Sequence, residues 1–312
     1  MRLQQPVDIN PPNSALARCI AETASGGALV WQGSTSEDQW LVVLPMDVQL
    51  VFVLAFTFVI HLVGTLAFAF RIAGVRTGQI AVAFSLFNIL VLISRTANSF
   101  QGPLLAKRVE TAIGSRLTAS LDFDFLLILM MASVATLVGG LLIPTFQRLS
   151  SIAVSNFGQH RSLFRLICRS LTPRGVSILT ESVSLPRYSS VAATSLGMKA
   201  PFSIILMNFF ATALWTVGGL AAIYAGTLQP EFRVTSSSLS AVINGVATIL
   251  LFTAVDPFLA GMTDDVVKGR ETEARFRQVV VWMVLSRFAG TAVAPVLLWP
   301  AAHLIASIST WI

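Results

Sequence analysis

Six stretches of roughly 20 residues, each nearly free of charge, leave this chain few folds to choose from. They cover residues 48–70, 79–98, 125–146, 201–224, 236–255 and 279–306. A helix rises about 1.5 Å per residue, so about 20 apolar residues cross a hydrocarbon layer about 30 Å thick. Backbone N–H and C=O groups find no water in lipid, so each stretch is expected to be a helix. The sequence therefore predicts an all-α polytopic membrane protein with six transmembrane helices. Its composition agrees: 54% of the 312 residues are apolar and 12% are charged, too few charges to cover a soluble domain of this length. A net charge of +6 in a soluble protein would suggest nucleic acid. In a membrane protein it reads as Lys and Arg concentrated in cytoplasmic loops, and no nucleic-acid partner is expected.

Those basic residues also predict orientation. The 147–200 loop carries Arg148, Arg161, Arg165, Arg169, Arg174, Arg187 and Lys199 against one acid, Glu181. It should face the cytoplasm. With six spans, the loop with Arg71 and Arg76 and the loop with Lys268, Arg270, Arg275 and Arg277 fall on the same side, and both termini fall outside. The expected organisation is an extension at 1–45, a three-helix half at 46–146, the basic loop at 147–200 and a second three-helix half at 201–312. The extension lacks a basic start followed by an apolar core, so it is not an ordinary signal peptide. It reads as a poorly ordered tail, or as sequence upstream of a translation start at Met46. In the loop, Arg161, Arg165 and Arg169 recur every four residues. Residues 162–171 then read either as an amphipathic helix on the anionic lipids of the inner leaflet or as a cytoplasmic helix packed on the protein. Residues 103–118 are a second, less regular interfacial candidate. Cys19 and Cys168 fit no metal or redox spacing.

The two halves resemble each other faintly. Val63-Gly64-Thr65-Leu66-Ala67 parallels Val217-Gly218-Gly219-Leu220-Ala221, and Arg76-Thr77 with Asn88 parallels Arg233-Val234-Thr235 with Asn244 at offsets near 155. Halves of three spans each would run in opposite directions, as in transporters built from inverted repeats. Chance similarity between apolar helices is the other reading.

Charges inside a span are costly and usually mark a site or a pathway. Arg287 lies well inside the sixth stretch, and Arg95, with Asn98 beside it, lies near the end of the second. Arg71 and Arg76 flank the end of the first. An arginine fork suits bidentate binding of phosphate oxygens. Arg287, Arg95, Arg71, Arg76 and Asn98 are therefore candidate substrate-binding residues around one polar cavity, with positive-inside anchoring as the plainer role for Arg71 and Arg76. Asp256, His61, Asp264 and Asp265 are candidates for coupling or gating. Their plainer readings are a helix stop at Asp256-Pro257, a packing histidine, and a solvated loop. Asn88 and Asn244 suit hydrogen bonding between helices. The sequence contains no P-loop, H-E-x-x-H or G-x-S-x-G pattern, and His61, His160 and His303 have no metal-ligand spacing. No enzyme of those classes, no cofactor and no metal is expected.

Longer runs carry a family resemblance. In the first half these are 61–67 (HLVGTLA), 71–78 (RIAGVRTG) and 87–98 (FNILVLISRTAN). In the second half they are 230–235 (PEFRVT), 243–252 (INGVATILLF), Asp256-Pro257, 262–269 (MTDDVVKG) and Ser286-Arg287. Together, from about Met46 to the C-terminus, they resemble the Amj family of bacterial lipid II flippases, the alternates to MurJ. Residues 1–45 fall outside the resemblance. It implies a multi-pass protein of the cytoplasmic membrane that moves lipid II, an undecaprenyl-pyrophosphate-linked precursor of the cell wall, from the inner to the outer leaflet. The alternatives are a carrier of another polyprenyl-linked glycan or of a small anion, a membrane enzyme acting on a polyprenyl phosphate, and a scaffold that transports nothing. The sequence sets no oligomeric state and no energy source.

Overall fold

The computed structural model describes residues 47–115, 119–160, 172, 177, 180–184 and 200–312. The expectations for 1–45, for 162–171 and for Cys19 and Cys168 lie outside the described residues. Six helical segments among them are long and apolar enough to cross a membrane, and the chain is an all-α multi-pass membrane protein.

The first span is α1 (Val48–Thr77), opened by Asp47, whose carboxylate accepts from the Gln49 N–H. Gly78 closes it with φ 67°, and its N–H returns to Val75 O. That left-handed cap suits glycine, and it turns the chain straight into α2 (Ile80–Ser115). α3 (Ala119–His160) and α4 (Phe202–Leu228) are the next two spans. The fifth, Pro230–Val267, is composite. It starts with a 3-10 turn (Pro230–Phe232) and α5 (Arg233–Ser238), continues through α6 (Ser240–Leu250) and a π-turn at Leu251–Val255, and ends as α7 (Asp256–Val267). Pro257 explains the π-turn: it has no N–H to offer the Thr253 carbonyl, so the chain widens by one residue there. α8 (Glu273–Ser309) is the sixth span.

These helices overrun the apolar stretches that announce them. Residues 103–115 are the continuous end of α2, with Pro103 inside it, rather than a separate interfacial helix. Leu105, Val109 and Ala112 bury one face of this end, while Lys107, Glu110 and Thr111 face outward. α3 likewise runs 14 residues past Phe146, to His160.

Packing follows one pattern in each half. α1 packs on α3 and α2, which touch each other little; α4 packs on α8 and α6, which are similarly separate. α1, α3, α4 and α8 make the interior, and α2 and the fifth span are mostly peripheral. Two apolar cores sit towards opposite ends of the bundle. One joins Val53, Leu105, Phe125, Leu129, Val217, Ala221 and Leu298. The other joins Phe68, Ile72, Ile143, Leu259, Phe276, Val280 and Met283. Between them runs a buried polar layer with His61 and Thr65 on α1, Ser133 and Thr136 on α3, Asn208 and Thr212 on α4, and Ser286 and Thr291 on α8.

Small residues let the backbones close around this layer. A Cβ on Gly139 would stand 2.8 Å from Thr65 Cβ of α1, and one on Gly140 would stand 2.9 Å from a Val284 methyl of α8. Gly290 brings α8 against the α4 backbone, where a Cβ would meet Phe209 O at 2.6 Å.

Candidate functional site

The polar layer holds Arg287. Its Nε is buried without a hydrogen-bond partner among the described residues, as is His61 Nδ1. Both face the same stretch of α1: a Cβ on Gly64, one turn beyond His61, would lie 2.4 Å from Arg287 Nη2. Glycine at 64 therefore makes room for the guanidinium between α8 and α1. Next to it on α8, Ser286 Oγ accepts from Asn208 Nδ2 at 2.6 Å, and that amide also donates to Met283 O at 2.9 Å. This pair ties α4 to α8 from inside the membrane.

Beside this layer a groove opens between α1, α3 and α8. It encloses about 430 Å³, within the range of about 300–1,000 Å³ typical of small-molecule sites. Its two ends differ in chemistry. Arg76 at the end of α1, Arg148 on α3 and Arg277 at the start of α8 line one end. Leu137 and Leu141 on α3 with Val284, Leu285 and Phe288 on α8 line the other. From Arg277 to Phe288 the helix rises about 16 Å, so the groove runs from a basic mouth deep into the apolar span. Leu137, Leu141 and Leu285 are also exposed on the outer surface of the bundle, which leaves the groove open sideways, towards lipid.

The basic mouth is partly neutralised. Glu273 Oε1 accepts from Arg76 Nε at 2.6 Å and from Arg277 Nε at 2.9 Å. Arg148 is exposed and has no ion pair among the described residues. Three cations against one carboxylate leave a positive site at the groove's end, suited to a multivalent anion such as a phosphate ester.

The structure distributes the residues expected from sequence. Arg76 lines the groove and Arg287 lies in the polar layer beside it. Arg71 lies elsewhere, paired with Asp256 at 2.5 Å and with its guanidinium carbon 5.4 Å from the centre of the Phe84 ring. Together with Asp264 it lines a separate cavity of about 90 Å³ between α1, α2 and α7. Arg95 and Asn98 are exposed on the peripheral α2. The four arginines thus do not surround one cavity, because α2 carries Arg95 away from the interior and Asp256 holds Arg71 against α7. Asp264 pairs with Lys268 at 3.3 Å and Asp265 with Arg270 at 2.5 Å, both as exposed contacts at the end of α7. Asn244 packs against Gly218 of α4, with its Oδ1 buried and unpartnered among the described residues.

Three residues of the mouth escape a reading by hydropathy. Arg148 and Arg277 lie just outside apolar stretches that end at 146 and begin at 279, and so count as loop charges. Glu273 looks like one more acid before a helix. Extending each helix by a turn or two would have placed Arg148 and Arg277 on α3 and α8.

Comparison with known proteins bears on this arrangement. The family described as Amj, alternate to MurJ, matches residues 56–309. A Bacillus subtilis (strain 168) protein named Lipid II flippase Amj is 34% identical over 264 residues, 84% of this chain and 97% of that protein. No solved structure matches the chain. The match begins within α1 and ends at the last residue of α8, so it takes in the groove, the polar layer and every helix around them, and the chain belongs to the Amj family.

Proposed function

We propose that the chain is a lipid II flippase of the bacterial cytoplasmic membrane, carrying undecaprenyl-pyrophosphate-linked precursor from the inner to the outer leaflet. One observation supports this beyond family membership: a laterally open groove with an arginine mouth at one end and an apolar wall running into the membrane. A carrier of small anions has no need of that wall. In this reading the mouth lies on the cytoplasmic side, as the basic loops imply, and both termini lie outside. Anionic lipids of the inner leaflet gather around the same basic end.

The steps follow from the chain's own groups. Arg76, Arg148 and Arg277 hold the pyrophosphate. The polyprenyl tail stays in lipid, since moving it into water would cost about 0.8 kcal/mol per CH₂. The buried Arg287, beside His61 and Gly64, receives the pyrophosphate as it passes through the polar layer, when α8 moves against α1 and the two halves rock. An inside-negative potential favours outward movement of a negative head group by roughly 2.3 kcal/mol per charge per 100 mV. Arg71 and Asp256 latch α7 to α1 during that cycle, with Asp264 and Asp265 at the end of α7.

The test is growth of cells depleted of their essential lipid II flippase, with every variant checked for equal membrane insertion. Wild type should rescue. Arg148→Ala combined with Arg277→Ala should fail, as should Arg287→Ala. A wild type that inserts but does not rescue overturns the lipid II reading.

A further inference from the structure

A second, shallower and largely open cavity, of about 520 Å³, lies past the arginine mouth. Arg76 and Arg148 line both it and the groove. Its remaining lining changes character: Thr77, Ser151, Glu181 and Ser182, with Ile152 as the one apolar side chain, replace the leucines and valines. The wall that carries Glu181 and Ser182 is fixed to α3. Thr145 Oγ1 donates to Ser184 O at 3.0 Å and accepts from Ser184 N at 2.9 Å. Ser182 is buried and Glu181 is exposed, so the carboxylate is free to meet a ligand while its backbone is held. Glu181 Oε1 accepts from Ser177 Oγ at 2.8 Å, and its other oxygen adds acceptor capacity.

Three linings therefore follow one another: an apolar wall, a pair of shared arginines, and a chamber of hydroxyls with one carboxylate and one isoleucine. We infer that this chamber is a subsite for a hydroxyl-rich, saccharide-like body joined through a pyrophosphate to an apolar tail. The order of the linings is the order of those three chemical parts. A carboxylate beside two arginines repels a further phosphate, yet it accepts hydrogen bonds from sugar hydroxyls and amide N–H groups. A ligand that ends at the pyrophosphate fills the groove and the mouth and leaves the chamber unused. This inference rests on the flippase reading and specifies which end of the substrate each cavity takes.

The experiment measures the Kd of the purified full chain, in lipid nanodiscs, for two probes: a polyprenyl pyrophosphate, and the same lipid bearing a disaccharide. The readout is the ratio of the two Kd values. Wild type should favour the disaccharide-bearing lipid by about tenfold. Glu181→Ala should bring the ratio close to one. Glu181→Lys should do the same while tightening the bare pyrophosphate lipid, because it adds a cation beside Arg76 and Arg148. A variant ratio equal to that of wild type overturns the subsite, as does a wild type that binds both probes equally. Failure of wild type to bind either lipid overturns the flippase reading on which it rests.

Discussion

Arg76 Nε stands 2.6 Å from Glu273 Oε1, tying the last turn of α1 to the first turn of α8 across the mouth of the groove. The carboxylate occupies a place that an anionic ligand would take. Substituting Glu273→Gln should therefore tighten binding of a pyrophosphate lipid. Exposed pairs of this kind are worth about 0.2–1 kcal/mol, which corresponds to at most about a fivefold fall in Kd. The effect should shrink in high salt. A rise in Kd would mean instead that Glu273 positions the arginines for the ligand.

Gly64 and Arg287 should behave as one unit. A methyl group at 64 lands 2.4 Å from Arg287 Nη2 and must displace a buried guanidinium. Gly64→Ala should therefore lower rescue of flippase-depleted cells, but by less than Arg287→Ala does, because the flexible end of the arginine can shift and keep its charge. The double variant should be no worse than Arg287→Ala alone, since contacting residues are not additive. Additive losses would count against a shared role.

Asp256 and Arg71 join α7 to α1 through one contact of 2.5 Å, and Arg71 is the more enclosed partner, with its side chain 13% exposed. Asp256→Ala strands that cation and should cost roughly 1–3 kcal/mol, read as earlier thermal unfolding in detergent. Exchanging the two, Arg71→Asp with Asp256→Arg, should recover part of the loss. If the exchanged protein is no more stable than either single variant, charge pairing is not what holds α7 there.

Arg95 gives the opposite expectation. It is exposed on peripheral α2, away from both cavities. Arg95→Ala should rescue depleted cells as well as wild type does, at equal expression. Loss of rescue would mean that α2 takes part in the transport path.

The spans were legible in the sequence because lipid enforces them: about 20 uncharged residues in a row have one structural solution. Arg287 was legible for the same reason, as a charge where charges are costly. Helix ends were not, because past the membrane boundary the chain continues by helix propensity and tertiary contact, which hydropathy does not measure. That is why Arg148 and Arg277 looked like loop residues. Partnerships were hidden for a different reason. Asp256 meets Arg71 across 185 positions, and Arg95 differs from Arg287 in which helix is peripheral, a property of the packed bundle rather than of either segment.

The π-turn at Leu251–Val255 amounts to one residue inserted into an otherwise regular helix. Each residue turns an α-helix by about 100°, so everything from Asp256 onward faces a direction that a plain helix of the same sequence would not give it. The meeting of α7 with α1 thus hangs on a count. Straightening 251–255 into plain α-helix with no residue removed would leave composition, hydropathy and span length untouched, yet swing the carboxylate about a quarter-turn away from Arg71. Deleting one residue within 251–255 would instead take out the residue that the widened turn absorbs, and α7 would keep its phase towards α1.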